Sequence, residues 1–329
     1  MHNPVLTAAL FNSDLSSLRA FHLQWVRTEL PWRNMVNLTS FTLCYMTPDS
    51  ISITQLLDFF ESAPRLRGIR LHCATPTTGG QSGRLVSLAC LKRIYFLWGS
   101  PSSLLLDHLV VPVGAKLTKW LASFDRVIED HLPRSLGNLR NITNITNIRL
   151  QITKHHTRIE LRGPSGQLHL ASQLDPGCSG LRSLTWMDTS NTERLEVTNS
   201  DNSFRRLSYR VLLPLKNLRT LTLSRCKNPY GFLVILYPNA GAMACLELEE
   251  IVLLPLTVTE VINVDLVAKI AATRASRGAK LRTVRIVGGQ DRVNPGDVLE
   301  LKKYVSHVEY DPEVSVASDE SDDNCEEFW

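Results

Sequence analysis

The stretch Leu218-Arg219-Thr220-Leu221-Thr222-Leu223-Ser224-Arg225-Cys226 decides the fold. Apolar side chains stand at its first, fourth and sixth positions, denoted i, i+3 and i+5. Positions i+3 and i+5 lie two apart, so on a strand both point to one face. Position i sits just before the strand and turns inward with them. Cys226 follows the strand and is expected to pack under the turn there.

The same spacing recurs toward both ends of the chain. Upstream it reads Leu18, Phe21, Leu23; Leu38, Phe41, Leu43; Leu66, Ile69, Leu71; Leu91, Ile94, Phe96; and Ile145, Ile148, Leu150. A weaker copy ends in Leu195 and Val197. Downstream come Leu248, Ile251, Leu253; Leu281, Val284, Ile286; and Val305, Val308, Tyr310. Neighbouring copies are 20, 28, 25, 30, 33 and 24 residues apart. These steps scatter around the roughly 20–29 residues of leucine-rich repeats, whose cysteine variant reads LxxLxLxxC. One such unit cannot bury its apolar face alone, but stacked neighbours form a continuous core. If the repeats do stack in this way, the strands containing Leu221, Ile251 and Val284 should be parallel and in register.

Between the strands the period changes to that of a helix. Ile53, Leu56, Leu57, Phe60 and Ala63 mark one helix, ended by Pro64. Ser102 to Val110 reads as a second. Leu266, Val267, Ile270 and Ala271 mark a third, with Gly278 as its cap. Asn294-Pro295 reads as N-cap and N1 of a fourth, running to Tyr304 through Val298 and Leu301.

One region alternates instead. Ile148, Leu150, Ile152, then Ile159, Leu161, then Leu168, Leu170 are joined by Lys154-His155-His156 and Gly163-Pro164-Ser165-Gly166. This predicts a three-stranded antiparallel meander over about 145–171. The fold expected is therefore α/β: an irregular leucine-rich-repeat horseshoe over 18–310, parallel sheet on the concave face and helices on the convex face. An N-terminal segment, 1–17, precedes it. Residues 311–329 follow, with eight acids and no Lys or Arg. That composition predicts a disordered tail, either solubilising or read by a basic surface.

The chain has 329 residues, 43% hydrophobic and 21% charged, ample for a buried core. Its net charge is +4, but the acidic tail hides a body with 36 basic and 24 acidic side chains, +12 in balance. No apolar run approaches the ~20 residues that span a bilayer. Leu104 to Val113 and Tyr230 to Tyr237 are the longest. The start lacks the pattern of a signal peptide. Seven cysteines (44, 73, 90, 178, 226, 245 and 325) contain no CxxC pair, so reduced thiols in cytosol or nucleus are expected. Cys226 and Cys73 read as structural thiols. The sequons at Asn37, Asn141 and Asn144 read as accidental on that view.

The quoted stretches also carry a family likeness. Ile53–Arg67 (ITQLLDFFESAPRLR), Arg84–Arg93 (RLVSLACLKR), Ser102–Leu117 (SSLLLDHLVVPVGAKL) and Ile128–Asn141 (IEDHLPRSLGNLRN) are the earlier ones. Lys216–Asn228 (KNLRTLTLSRCKN), Ala275–Val287 (ASRGAKLRTVRIV) and Asp297–Lys303 (DVLELKK) follow. Together they resemble the leucine-rich-repeat region of fungal F-box proteins of mushroom-forming species. The resemblance implies a partner-reading module of a ubiquitin ligase. In that family an N-terminal F-box binds a Skp1-type adaptor. Here Leu30-Pro31 runs through Trp32-Arg33-Asn34 straight into a repeat, and the opening HNPVLTAALFNSDLSS lacks the F-box pattern. The chain thus reads as a fragment, an incomplete gene product or a degenerate relative, and adaptor binding is expected only if an F-box precedes it.

The outward positions of the repeats are i+2, i+4 and i+6. They give the candidate partner-binding residues His22, Gln24, Thr42, Arg70, His72, Arg93, Tyr95, Thr222, Ser224 and Arg285. Arg, His and Tyr on a rigid scaffold suit a protein ligand. No HExxH or His–Cys cluster points to a metal, and His155-His156 reads as a turn. Gly79-Gly80-Gln81-Ser82-Gly83 lacks a phosphate-loop ending, and no GxSxG elbow occurs. No cofactor and no enzymatic activity are therefore expected. The alternative is a solenoid that binds nucleic acid or an acidic partner through its basic body, although Lys and Arg are dispersed, as in Arg205-Arg206 and Lys302-Lys303.

Overall fold

The computed structural model describes residues 5–6, 14–25, 27–28, 35–45, 51–73, 83–97, 103–121, 132–133, 135–153, 156–173, 184, 187–199, 211–226, 229–237, 243–254, 264–287 and 293–311. The acidic tail beyond Asp311, Leu30-Pro31, the Gly79–Ser82 loop, Lys154-His155, Cys178 and Arg205-Arg206 lie outside them. The chain divides into two compact units, Met1–Glu193 and Arg194–Trp329. Both are α/β with mostly parallel strands, and the strand orders are open rather than closed barrels.

The first unit contains β1 (Ala20–Gln24), β2 (Ser40–Cys44), β3 (Gly68–His72), β4 (Arg93–Leu97), β5 (Lys116–Leu121), β6 (Asn147–Ile152), β7 (His156–Gly163) and β8 (Gly166–Gln173). Their order is β1-β2-β3-β4-β5-β8-β7-β6. Strands β1 to β5 and β8 pair in parallel, while β6-β7-β8 is the antiparallel meander. In register, Phe21, Phe41, Ile69, Ile94 and Leu117 form one inward ladder, which Leu168, Leu161 and Ile148 continue. A second ladder runs Leu23, Leu43, Leu71, Phe96, Lys119, Leu170, Ile159 and Leu150. These side chains are all buried, Lys119 included.

The second unit stacks β9 (Arg194–Asn199), β10 (Thr220–Ser224), β11 (Glu250–Leu254), β12 (Thr283–Val287) and β13 (His307–Asp311), all parallel. Leu195, Leu221, Ile251, Val284 and Val308 make one ladder. Leu221, Ile251 and Val284 are thus in register, as the spacing requires. Val308 and Tyr310 on the last strand are only half-buried.

Backbone details repeat with the strands. The residue at position i donates its N–H to the carbonyl three residues back, closing a turn: Leu18 to Leu15, Leu38 to Met35, Leu66 to Ala63, Leu91 to Leu88, Leu218 to Leu215 and Leu248 to Cys245. Every one of those preceding residues is buried, so the apolar unit begins at i−3. Just after the strand, Trp25, Tyr45, Cys73 and Arg225 take positive φ (57°, 53°, 47° and 51°). This is left-handed backbone that costs a non-glycine residue ~1–2 kcal/mol. Each sends its N–H to the end of the next strand: to the carbonyls of Cys44, His72, Leu97 and Leu254. The turn thus satisfies a donor that would otherwise be left at the strand end.

Helices α1 (Ile53–Ser62), α2 (Ser103–Leu106), α3 (Tyr230–Leu236), α4 (Val264–Ser276) and α5 (Pro295–Tyr304) fill the connections. Ser52 and Gln55 form a reciprocal capping box on α1. Phe59 of α1 meets Phe41 of β2 with ring centroids 4.3 Å apart. Asn294 caps α5 by accepting from the Gly296 N–H, and Gly278 turns at φ 79° beyond α4. The helix expected over Ser102 to Val110 is corrected: it ends at Leu106, and Leu109–Val110 pairs in parallel with Val86–Ser87. An apolar run this short fits either state, and here the neighbouring strand segment takes it.

Candidate functional site

The register sorts the outward side chains into rows. His22, Thr42, Arg70 and Tyr95 occupy one row of the first unit, continued by Thr118, His169, Glu160 and Arg149. Arg93 stands in the row before it, beside Gly68 and Lys116. Gln24 and His72 stand in the row after it, on either side of Cys44. The seven candidates of this unit are therefore brought onto one surface. Arg70 lies over the Tyr95 ring, 5.5 Å from its centroid, a cation–π contact that orients the guanidinium.

Thr222, Ser224 and Arg285 belong to the second unit, where the rows carry acids as well. Glu196, Thr222, Val252, Arg285 and Glu309 are in register. Arg285 is 3.3 Å from Glu309, and Thr220 donates to Glu250. Arg285 is thus already committed to a carboxylate of its own unit.

Two features were not apparent from the repeat spacing. One is aromatic: Trp25, 54% exposed, stacks on Tyr45 at 4.6 Å and 4°, and Tyr45 lies 4.4 Å from His72. The left-handed turns after β1 and β2 place these rings. The other is basic: Arg67 and Lys92, at position i+1, line an open cleft of about 580 Å³ with Arg70, Arg93 and Tyr95. The recurring Leu-Arg or Leu-Lys step at Leu18, Leu66, Leu91, Leu218 and Leu281 was the available signal.

Cys44 and His72 are register partners, so a thiol adjoins an imidazole on this face. Desolvation raises the Cys44 thiol, only partly offset by Arg70, while desolvation and then Arg70 lower His72. Both directions favour the neutral pair, the reverse of an activated thiolate. Cys245 is pushed up to about 11 by burial, and Cys226 donates to the Val197 carbonyl. Among the described residues no group of three or more His, Cys, Asp or Glu is placed to hold a metal ion. None of the described helices is long and apolar enough to cross a membrane.

No family model, curated protein or solved structure matches the chain.

Proposed function

We propose that the chain is a leucine-rich-repeat solenoid that binds a protein target on the outward face of its parallel strands. We further propose that it reads its target as the substrate-recognition part of an F-box ubiquitin ligase does, without catalysing a reaction itself. The observation that carries the reading is the row His22, Thr42, Arg70, Tyr95, flanked by the Trp25–Tyr45–His72 aromatic run. Trp, Tyr and Arg are the residues on which binding energy concentrates at protein interfaces. In-register strands fix the backbone beneath this face, which lowers the ordering cost of binding.

The mixed signs of the second unit's outward rows favour a protein over a polynucleotide. A phosphate backbone calls for a continuous basic stripe. Glu196, Glu250 and Glu309 face outward in the second unit, and in the first Glu160 stands in the row and pairs with Arg162.

The test is quantitative capture from cells with the tagged full chain, read by mass spectrometry. One or more proteins should be enriched by the wild type, lost with the pair Gln24→Lys and His72→Glu, and retained with Leu299→Lys on α5. Equal capture by all three would remove the binding-face reading. The ligase assignment stands apart: a Skp1-type adaptor co-expressed with the complete gene product should co-purify, and its absence would remove that assignment alone.

A further inference from the structure

We infer that the cleft at the start of β3 and β4 is the docking site for a carboxylate-rich peptide segment of a protein partner. The inference rests on the binding-face reading and names the chemistry of its ligand. Arg67, Arg70, Lys92 and Arg93 converge on the cleft, and no carboxylate lines it. Among the described residues none of the four has an ion-pair partner. The contrast is Arg84, which Asp58 and Glu61 neutralise at 2.7 and 2.8 Å. Four uncompensated cations on one small surface repel one another, and that cost is relieved when an anion enters.

The shape fits an extended chain. Gly68 stands in register between Ser40 and Arg93 and carries no side chain. A Cβ built there would meet nothing closer than the Ser40 Oγ at 4.0 Å, so the floor of the cleft is open backbone. Ser40 and Thr42 supply hydroxyls along one wall, and Tyr95 supplies an apolar wall on which Arg70 is already laid. The volume is that of an ordinary ligand site.

Several cations lining one open cleft suit a ligand that carries several anionic groups along an extended chain. The cations come from two neighbouring strands and the turns before them, and neighbouring strands are ~4.8 Å apart. Acidic side chains at alternate positions of an extended peptide are spaced ~6.8 Å apart on one side, matching a spread of cations. Farther along the same face Arg162 is already paired with Glu160 at 2.7 Å, unlike the four cations of the cleft.

Fluorescence anisotropy on the full chain tests this with four labelled probes: a 12-residue Glu/Ser peptide, its Gln/Ser analogue, a phosphoserine peptide without Glu, and a single-stranded oligonucleotide. The Glu peptide should bind best and weaken as salt rises. Arg70→Glu with Arg93→Glu should weaken it about tenfold or more. Arg67→Gln with Lys92→Gln, milder changes at two exposed positions, should weaken it by a smaller factor. Arg282→Glu in the second unit should leave it unchanged. Equal affinity for the Gln analogue, undiminished binding by both double variants, or preference for the phosphopeptide or the oligonucleotide would each overturn the assignment. If the peptides fail while cellular capture still depends on Gln24 and His72, the cleft assignment alone falls.

Discussion

Lys119 is the residue most at odds with its surroundings. It occupies an i+5 position, between Phe96 and Leu170 in the inward ladder, and is 1% exposed. Burial lowers its pKa to about 7 from the usual 10.5. Below about 7 the folded state holds the ammonium buried, with the Phe96 ring centroid 6.0 Å away. Between about 7 and 10.5 the unfolded chain binds the proton more readily than the folded one, so stability rises with pH across that window. The slope should approach ~1.4 kcal/mol per pH unit. Urea unfolding between pH 7 and 9.5 reads it directly, and Lys119→Met should raise stability at pH 7 and abolish the slope. A flat wild-type profile would show that Lys119 is not buried in this way. Lys119 also explains why β5 was not foreseen: with Gly114 at position i and a lysine at i+5, only Leu117 keeps the repeat's signature.

The cysteines give a second prediction at this scale. Cys90 is exposed, whereas Cys245 is buried with its thiol pushed up to about 11. Alkylation at pH 7.5 should modify Cys90 before the other described cysteines, and Cys245 only on unfolding. Early labelling of Cys245 would contradict its placement. The amide of Asn141, in a sequon, is buried and donates to the Gln167 carbonyl, which leaves no room there for a glycan.

At the scale of elements, α4 and the meander each depend on a single residue whose role periodicity does not reveal. Arg274 of α4 is fully buried and donates to the carbonyls of Ala244, Cys245, Leu246 and Leu248. It ties the turn before β11 to the helix that follows that strand. Arg274→Met should cost ~3–5 kcal/mol, because buried acceptors lose their partner. Chemical denaturation measures the loss, and a cost below ~1 kcal/mol would mean that water serves those carbonyls equally well.

The alternation of Ile148 to Leu170 made the meander legible, and the Gly163–Gly166 turn fixed its second hairpin. Its order in the sheet was not legible, since β8 rather than β6 lies beside β5. That choice depends on a long-range contact: Gly166, at φ 133°, lets the chain pass where a Cβ would lie 2.6 Å from the Ala115 carbonyl. Gly166→Ala should therefore destabilise by at least ~2 kcal/mol, whereas Gly83→Ala, with open space around it, should cost less. Similar losses at both sites, read by thermal unfolding, would count against the close approach.

At the scale of the whole molecule, the repeat spacing foretold which residues share a ladder. Inward triplets, caps and the meander were readable because each rests on local spacing. The cleft was less so. Arg70, Arg93 and Tyr95 were visible as outward positions, but Arg67 and Lys92 sit at i+1, where the chain is still entering the strand. Only the register shows that two such entries adjoin one another.

In a stack each unit depends on its nearest neighbours. Leu221→Ala, between two packed strands, should cost ~2–5 kcal/mol. Tyr310→Ala on the half-buried last strand should cost markedly less. Equal losses would speak against stacking in series.

The central claim is that the outward strand face, and not the helices, meets the partner. Photo-crosslinking from a benzoylphenylalanine placed at His22, Thr42 or Thr222, with Leu299 on α5 as control, tests it most directly. Protein adducts should form in cells from the three strand positions and not from Leu299. Adducts from Leu299 alone, or none from the strand positions, would contradict the account.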